Sequence, residues 1–302
     1  MKSRAKPPND ESPRVTGITA SGRKLDTQEI IERAQRGFDR AAHYYKRAQA
    51  QTITFSRGPV ALAFVSDLHL GAMGTDITRV IAEARQIVAT PGMWLVLAGD
   101  LLDNFVAQKL MHARHNSNVA IEEEWELVRH YLEIVAPKLL VSVNGNHERF
   151  TYTLSGIDYF AKILEQVAPK AIYDSDDALF TLKVNRTEYP IRVRHTWQGS
   201  SIWNITHQIE RAAKFDGNFV CGVGGHTHAS GVTRQFNISG RTGMAVLCGS
   251  YKAFDLYAKQ RGFPKANEAT AATVVFHENG AMVGINDLGV ACKLMRMYRG
   301  AK

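Results

Sequence analysis

Val60-Ala61-Leu62-Ala63-Phe64-Val65-Ser66-Asp67-Leu68-His69 is the stretch from which the fold can be read. Its first six residues are apolar without interruption, the pattern of a central strand buried on both faces. The run then stops at an Asp-x-His. The same grammar returns along the chain. Trp94-Leu95-Val96-Leu97-Ala98 runs into Gly99-Asp100, and Leu139 to Val143 runs into Gly145-Asn146-His147-Glu148. Ile191 to Val193 leads to His195, and Phe219 to Val223 leads to Gly225-His226-Thr227-His228. Helical spacing over about 76–89 and 121–136 separates the first three strands, which makes β-α-β units with right-handed crossovers. Each strand thus delivers a carboxylate, an amide or an imidazole at its carboxyl end, where open α/β sheets place their ligands.

Oxygen and imidazole donors without thiolates suit hard or borderline ions such as Mn²⁺, Fe²⁺ and Zn²⁺. Asp-x-His and His-x-His fit the end of a strand, because residues two apart in an extended segment project to the same side. A pair of divalent ions is the usual device for splitting phosphate esters. His195 has the thinnest support, since a lone strand histidine is more often structural. Its place between the Asn-His and Gly-His-x-His motifs argues for a ligand.

In order and spacing, the five motifs resemble those of the calcineurin-like metallophosphoesterase superfamily, from roughly Val60 to Val283. Gly249-Ser250-Tyr251-Lys252-Ala253-Phe254-Asp255 is similar to a segment of members found in phage and prophage genomes. The resemblance implies an α/β (α+β) four-layer sandwich, two mixed β-sheets flanked by helices, with a dinuclear metal site at strand carboxyl ends. It implies that Asp67, His69 and His228 complete one metal site, that Asn146, His195 and His226 complete the other, and that Asp100 bridges them. The nucleophile would be hydroxide held between the ions. His147 is then the histidine that contacts the scissile phosphate or protonates the leaving oxygen, steadied by Glu148, where family members often carry Asp. Two divalent ions are the implied cofactors, Mn²⁺ first, with Fe²⁺, Zn²⁺ and Mg²⁺ as the others. Arg149 and Arg194 adjoin the motifs, and each is either a bidentate phosphate clamp or an ordinary surface ion pair. Asp103 reads as a supporting or capping residue, and His112, His115, His130, His207 and His277 fall outside the motifs.

The chain has 302 residues, 45% of them hydrophobic and 22% charged, which describes a globular protein with ample core. No apolar run approaches the ~20 residues that span a bilayer, so no membrane partner is expected. No apolar segment follows the basic residues near the N-terminus, so no secretory signal is read there. Cys221, Cys248 and Cys292 show no Cys-x-x-Cys spacing and read as reduced thiols of a cytoplasmic protein. The net charge of +8 suits a polyanionic partner such as DNA or RNA. Residues 1–50 carry eleven Lys/Arg against six Asp/Glu, so most of that excess sits at one end. A solvated tail with no partner would explain the same charge.

Residues 1–25 read as a disordered basic tail, and 26–50 as an amphipathic helix capped by Asp26, with Ile30, Ala34, Phe38, Ala41, Tyr45 and Ala48 in its stripe. Residues 59–290 form the metallophosphoesterase domain, with short strands dominating after about 177 and one helix at about 201–214; residues 291–302 form a C-terminal tail. Only about 46 residues separate Glu148 from His195, too few for a large cap, so the cleft should be open. The expected activity is phosphodiester hydrolysis of a nucleic acid or nucleotide. A phosphomonoesterase is the runner-up, and a nucleic-acid-binding module working through the N-terminal arm is the reading from another class.

Overall fold

The structure is a computed structural model that describes residues 16–18, 24–48, 51–106, 112–115, 117–199, 201–228, 231–238, 240–254 and 271–300. It divides into two compact units, residues 1–49 and 50–302. In the first, β1 (Thr16–Ile18) pairs antiparallel with β2 (Lys24–Asp26), and α1 (Thr27–Ala48) follows. The Asp26 carboxylate accepts hydrogen bonds from the N–H groups of Gln28 and Glu29, so it caps the helix as expected. Most of the expected disordered tail lies outside the described residues; the described part is this strand pair.

The second unit runs β3 (Gln51–Phe55), β4 (Val60–Val65), α2 (Ile77–Val88), β5 (Met93–Leu97), α3 (Ile121–Val135) and β6 (Leu139–Val143). Next come α4 (Glu148–Ser155), α5 (Tyr159–Val167), β7 (Ile172–Asp174), β8 (Asp177–Val184), β9 (Thr187–Arg194) and α6 (His207–Asp216). It closes with β10 (Cys221–Gly224), β11 (Val232–Ile238), β12 (Arg241–Leu247), β13 (Ala272–Phe276), β14 (Met282–Ile285) and α7 (Leu288–Tyr298). Two six-stranded sheets result, in the orders β14-β13-β4-β5-β6-β7 and β11-β12-β10-β9-β8-β3. Both are mixed. β4 to β7 are parallel with β13 antiparallel at their side, and β9, β10 and β12 are parallel between antiparallel β8 and β11.

β4 explains the layering. Val60, Leu62 and Phe64 face a core shared with residues of the second sheet, including Phe180, Ile191 and Val223. Ala61, Ala63 and Val65 face a second core built with α2, α3, α5 and α7. A strand covered on both faces has no position for a polar side chain, hence its unbroken apolar run. A third, smaller core of Trp197, Ile209, Ala213, Phe219 and Ala245 seats α6 on the other sheet. Helices, sheet, sheet and helix make the expected four-layer sandwich. Among the described residues, no helix is long and apolar enough to cross a membrane.

Two boundaries move. β3 precedes residue 59 and adds an edge strand parallel to β8. The supposed tail 291–302 begins inside a helix: Leu288, Ala291, Cys292 and Met295 recur at helical spacing and are buried, and Asp287 caps them by accepting from the Val290 N–H at 2.8 Å. Burying its two large side chains contributes roughly 1.5–3 kcal/mol each, enough to hold the segment down.

Candidate metal centre

The motifs leave their strands through strained turns. Asp67, His69, Asp100, His226 and His228 all adopt left-handed backbone conformations, with φ between 46° and 70°. Such φ costs a side-chain-bearing residue about 1–3 kcal/mol and persists only where neighbours impose it. Here the turns are stitched together: Asp67 N–H donates to Gly99 O at 3.0 Å, His69 N–H to Asp100 O at 3.2 Å and Gly225 N–H to His195 O at 2.9 Å. The alignment of Asp67 with His69, and of His226 with His228, therefore comes from paired left-handed turns and not from extended strand geometry. Glycine is required where the turns meet. A Cβ at Gly145 would lie 2.0 Å from Asp100 Oδ1, and one at Gly225 2.5 Å from Asp67 Oδ2.

Among the described residues, three donor groups form, each with ligand atoms within 4.8 Å of one another: Asp67, His69 and His228; Asp100, His195 and His226; and His69, Asp100 and His147. His69 Nε2 and His228 Nε2 are 3.0 Å apart, and His228 Nε2 is 3.4 Å from Asp67 Oδ1. Asn146 Oδ1 is buried with no hydrogen-bond partner. His195 Nε2 likewise makes no well-formed hydrogen bond, although Asp100 Oδ2 lies 3.0 Å away as an ion-pair partner. Proximity without a well-formed hydrogen bond is what two ligands of one ion show. A buried polar atom left unsatisfied costs about 1–3 kcal/mol, and a cation would accept both lone pairs. A donor set of four imidazoles, two carboxylates and one amide suits Mn²⁺, Fe²⁺ or Zn²⁺.

Electrostatics agree. Burial pushes the Asp100 carboxyl up, but the His195, His147 and His69 imidazoles outweigh it and hold the group far below the usual carboxylate range. Asp67 is lowered in the same way against burial, by His228 and His195. Burial pushes His195 down, yet Asp100 prevails and lifts it to about 10. The carboxylates thus demand positive charge, which protonated imidazoles supply and divalent ions would supply more strongly. His69 and His226 are lowered, burial being the largest cause for each.

His147 and Glu148 part company. His147 Nδ1 donates to the Asp103 backbone carbonyl at 2.6 Å, and the ring packs 5.4 Å from Phe105 and 5.1 Å from Phe150. Its Nε2 lies 3.8 Å from Asp100 Oδ2. Glu148, expected to steady it, is buried and turned elsewhere: its carboxylate accepts from Asp100 N at 3.1 Å, Leu101 N at 2.6 Å and Gly145 N at 2.8 Å. Glu148 opens α4, and its side chain folds back onto the turn that carries Asp100. Burial, and next the Asp100 charge, raise its carboxyl. The steadying of His147 comes instead from the Asp103 carbonyl and from Asn104, whose Nδ2 donates to His147 O at 2.7 Å.

Arg149 pairs with Asp176 at the surface. Arg194 lies 3.9 Å from Asp177 and 5.6 Å from the Trp197 ring centroid. Each arginine thus has an acidic neighbour in the structure. The Asp103 carboxylate binds His69 Nδ1 at 2.7 Å, the supporting place expected of it. Ser66, whose hydroxyl donates to Ala98 O and Gly99 O, and Asn104 escape sequence reasoning, because their partners are distant in the chain.

No protein-family model matches the chain, and no curated protein matches it in sequence. Solved structures do match. A protein of Staphylococcus aureus assigned as a 5′-nucleotidase, solved with α-ketoglutarate, is 12% identical over 76% of this chain, with a TM-score of 0.44. The chain spans only about half (53%) of that protein's length. Nuclease MPE of Pseudomonas putida is 14% identical over 74% of this chain and 87% of its own, with a TM-score of 0.35. A hypothetical protein of Pyrococcus horikoshii is 10% identical over 80% and 94%, with a TM-score of 0.35. At these identities a functional reading has to rest on the chain's own residues.

Proposed function

We propose that this chain is a dinuclear metal-dependent phosphoesterase of the calcineurin-like kind. The observation that carries the reading is the place of Asp100, which groups with His195 and His226 on one side and, on the other, with His69, itself a member of the group with Asp67 and His228. Two cations ~3.5–4 Å apart need such a bridging carboxylate. Bound there, the ions would neutralise charge on a phosphate and lower the pKa of a water molecule so that it attacks near neutral pH. Asp67, His69 and His228 would hold one ion, Asn146, His195 and His226 the other, and Asp100 both.

The protein's own groups prepare this. His195 Nδ1 donates to Ala98 O at 2.7 Å, which leaves Nε2 as the ligating atom. Asp103 does the same for His69. His147 Nδ1–H donates to the Asp103 carbonyl, so its Nε2 faces the centre, where the imidazolium form can hydrogen-bond a phosphate oxygen or deliver a proton to the leaving oxygen. Mn²⁺ is the first choice of metal.

The substrate we propose is a phosphodiester of a nucleic acid or nucleotide. The net charge of +8 supports it, as does the short run between Glu148 and His195, which is occupied by α4, α5, β7, β8 and β9. The three cysteines are free and buried, in keeping with a cytoplasmic protein. Turnover of bis-p-nitrophenyl phosphate and of p-nitrophenyl phosphate with Mn²⁺, beside cleavage of DNA and RNA, tests the reading. The diester should be the better substrate, and a strong preference for the monoester would establish a phosphomonoesterase instead.

A further inference from the structure

Lys252 is a buried cation for which the roles above have no use. It is 8% exposed, and its Nζ lies 3.4 Å from Asp103 Oδ2. Asp103 is fully buried, and its other oxygen binds His69 Nδ1 at 2.7 Å. A buried ammonium is costly unless a carboxylate answers it, and so is a buried carboxylate without a cation. Asp103 differs from Asp67 and Asp100 in one respect: its oxygens are taken up by His69 and Lys252, on the far side of the imidazole from the donor group.

The backbone brings Lys252 there by design of the turn. Ser250 Oγ donates to Asp67 O at 3.1 Å and Tyr251 N–H to the same oxygen at 3.0 Å. Lys252 pairs with Thr75 in an isolated bridge, and Phe254 N–H donates to Gly74 O at 3.2 Å. The fit is close, since a Cβ at Gly74 would lie 1.6 Å from Phe254 O. The segment carrying Lys252 is thereby fastened to the turn that carries Asp67 and His69.

We propose that Lys252 is a positioning residue that holds the Asp103 carboxylate against His69 and so sets the affinity of the metal site formed by Asp67, His69 and His228. The inference rests on the phosphoesterase reading only in taking that group as a metal site. Partners that orient a ligating histidine typically alter metal affinity 10–100-fold when removed. Lys252 acts one bond further out, through Asp103, and leaves the group with Asn146, His195 and His226 alone.

The test is titration calorimetry with Mn²⁺ on metal-stripped full-length protein, with EPR of the spin-coupled ion pair as a second reading. Lys252→Met should weaken one of two binding events by roughly 10–100-fold, leave the other unchanged and lose the coupled signal at limiting Mn²⁺. Asp103→Asn combined with Lys252→Met should do no worse than the more affected single variant, because both changes break one chain of contacts. Removing both charges also protects folding if Lys252→Met alone strands the Asp103 carboxylate. Two undiminished binding events in Lys252→Met, losses that multiply in the double variant, or equal weakening of both events would each overturn the proposal. Failure of the wild-type protein to bind Mn²⁺ would instead sink the metal-centre reading itself.

Discussion

Glu148→Gln separates chemistry from architecture at the centre. In the native structure Glu148 Oε2 accepts from Asp100 N and Gly145 N, while Oε1 accepts from Leu101 N at 2.6 Å. Glutamine has one acceptor oxygen. Its best orientation keeps the two bonds at the Oε2 position and turns an NH₂ toward the Leu101 N–H, donor against donor. One bond to a charged acceptor, typically about 1.5–3 kcal/mol, is lost, and a buried N–H is left unanswered. A net cost of about 2–4 kcal/mol follows, offset in part because a neutral side chain no longer faces Asp100. For a domain of this size that lowers the unfolding midpoint by roughly 5–15 °C, measurable by thermal unfolding in excess chelator so that bound metal does not mask it. The Asp100 turn loosens as well, so Mn²⁺ should bind more weakly. If Glu148→Gln kept wild-type stability and metal affinity and lost only turnover, Glu148 would be a partner of His147 after all and the geometric argument would be wrong.

Three further outcomes are expected. Asp100→Asn should lose metal occupancy and most activity, whereas His147→Ala should keep both ions and still lose roughly 10²–10⁴ in turnover; metal analysis of the pair decides it, and metal loss in His147→Ala would make His147 a ligand, as its group with His69 and Asp100 permits. Gly225→Ala drives a Cβ to 2.2 Å from Ser66 Oγ and 2.5 Å from Asp67 Oδ2, so it should destabilise the fold by about 1–3 kcal/mol and weaken metal binding, read by thermal unfolding and Mn²⁺ titration. Removal of residues 1–49 should leave diester turnover nearly unchanged, and if the basic arm grips nucleic acid, the salt dependence of nucleic-acid binding becomes shallower; an unchanged slope would assign the arm a packing role.

How far the sequence could be read follows from which interactions are local. β4 is legible because two-sided burial forbids polar residues, and the donor motifs are legible because each follows such a run. The left-handed φ of Asp67, His69 and Asp100 is not, since it is imposed by hydrogen bonds between turns from separate strands. Glu148 misleads because it adjoins His147 in sequence while its partners, Asp100 and Leu101, are nearly fifty residues earlier. The segment holding Lys252 could be singled out, but its pairing with Asp103 could not, for the same reason, as Asp103 lies 149 residues away. The helix Leu288–Tyr298 carried a readable helical period in Leu288, Ala291, Cys292 and Met295, obscured by the charged residues of its other face.

Metal content set beside activity decides whether the centre holds two ions and uses them. Purified protein loaded with Mn²⁺ and dialysed should retain about two ions per chain, and hydrolysis of bis-p-nitrophenyl phosphate should vanish on exhaustive chelation. Mn²⁺ should restore it better than Ca²⁺, whose preference for oxygen ligands fits a four-histidine centre poorly. Because those imidazoles must be neutral to ligate, apparent affinity should rise with pH as protons leave them. Undiminished hydrolysis in excess chelator, or protein that retains no ion, would contradict the account.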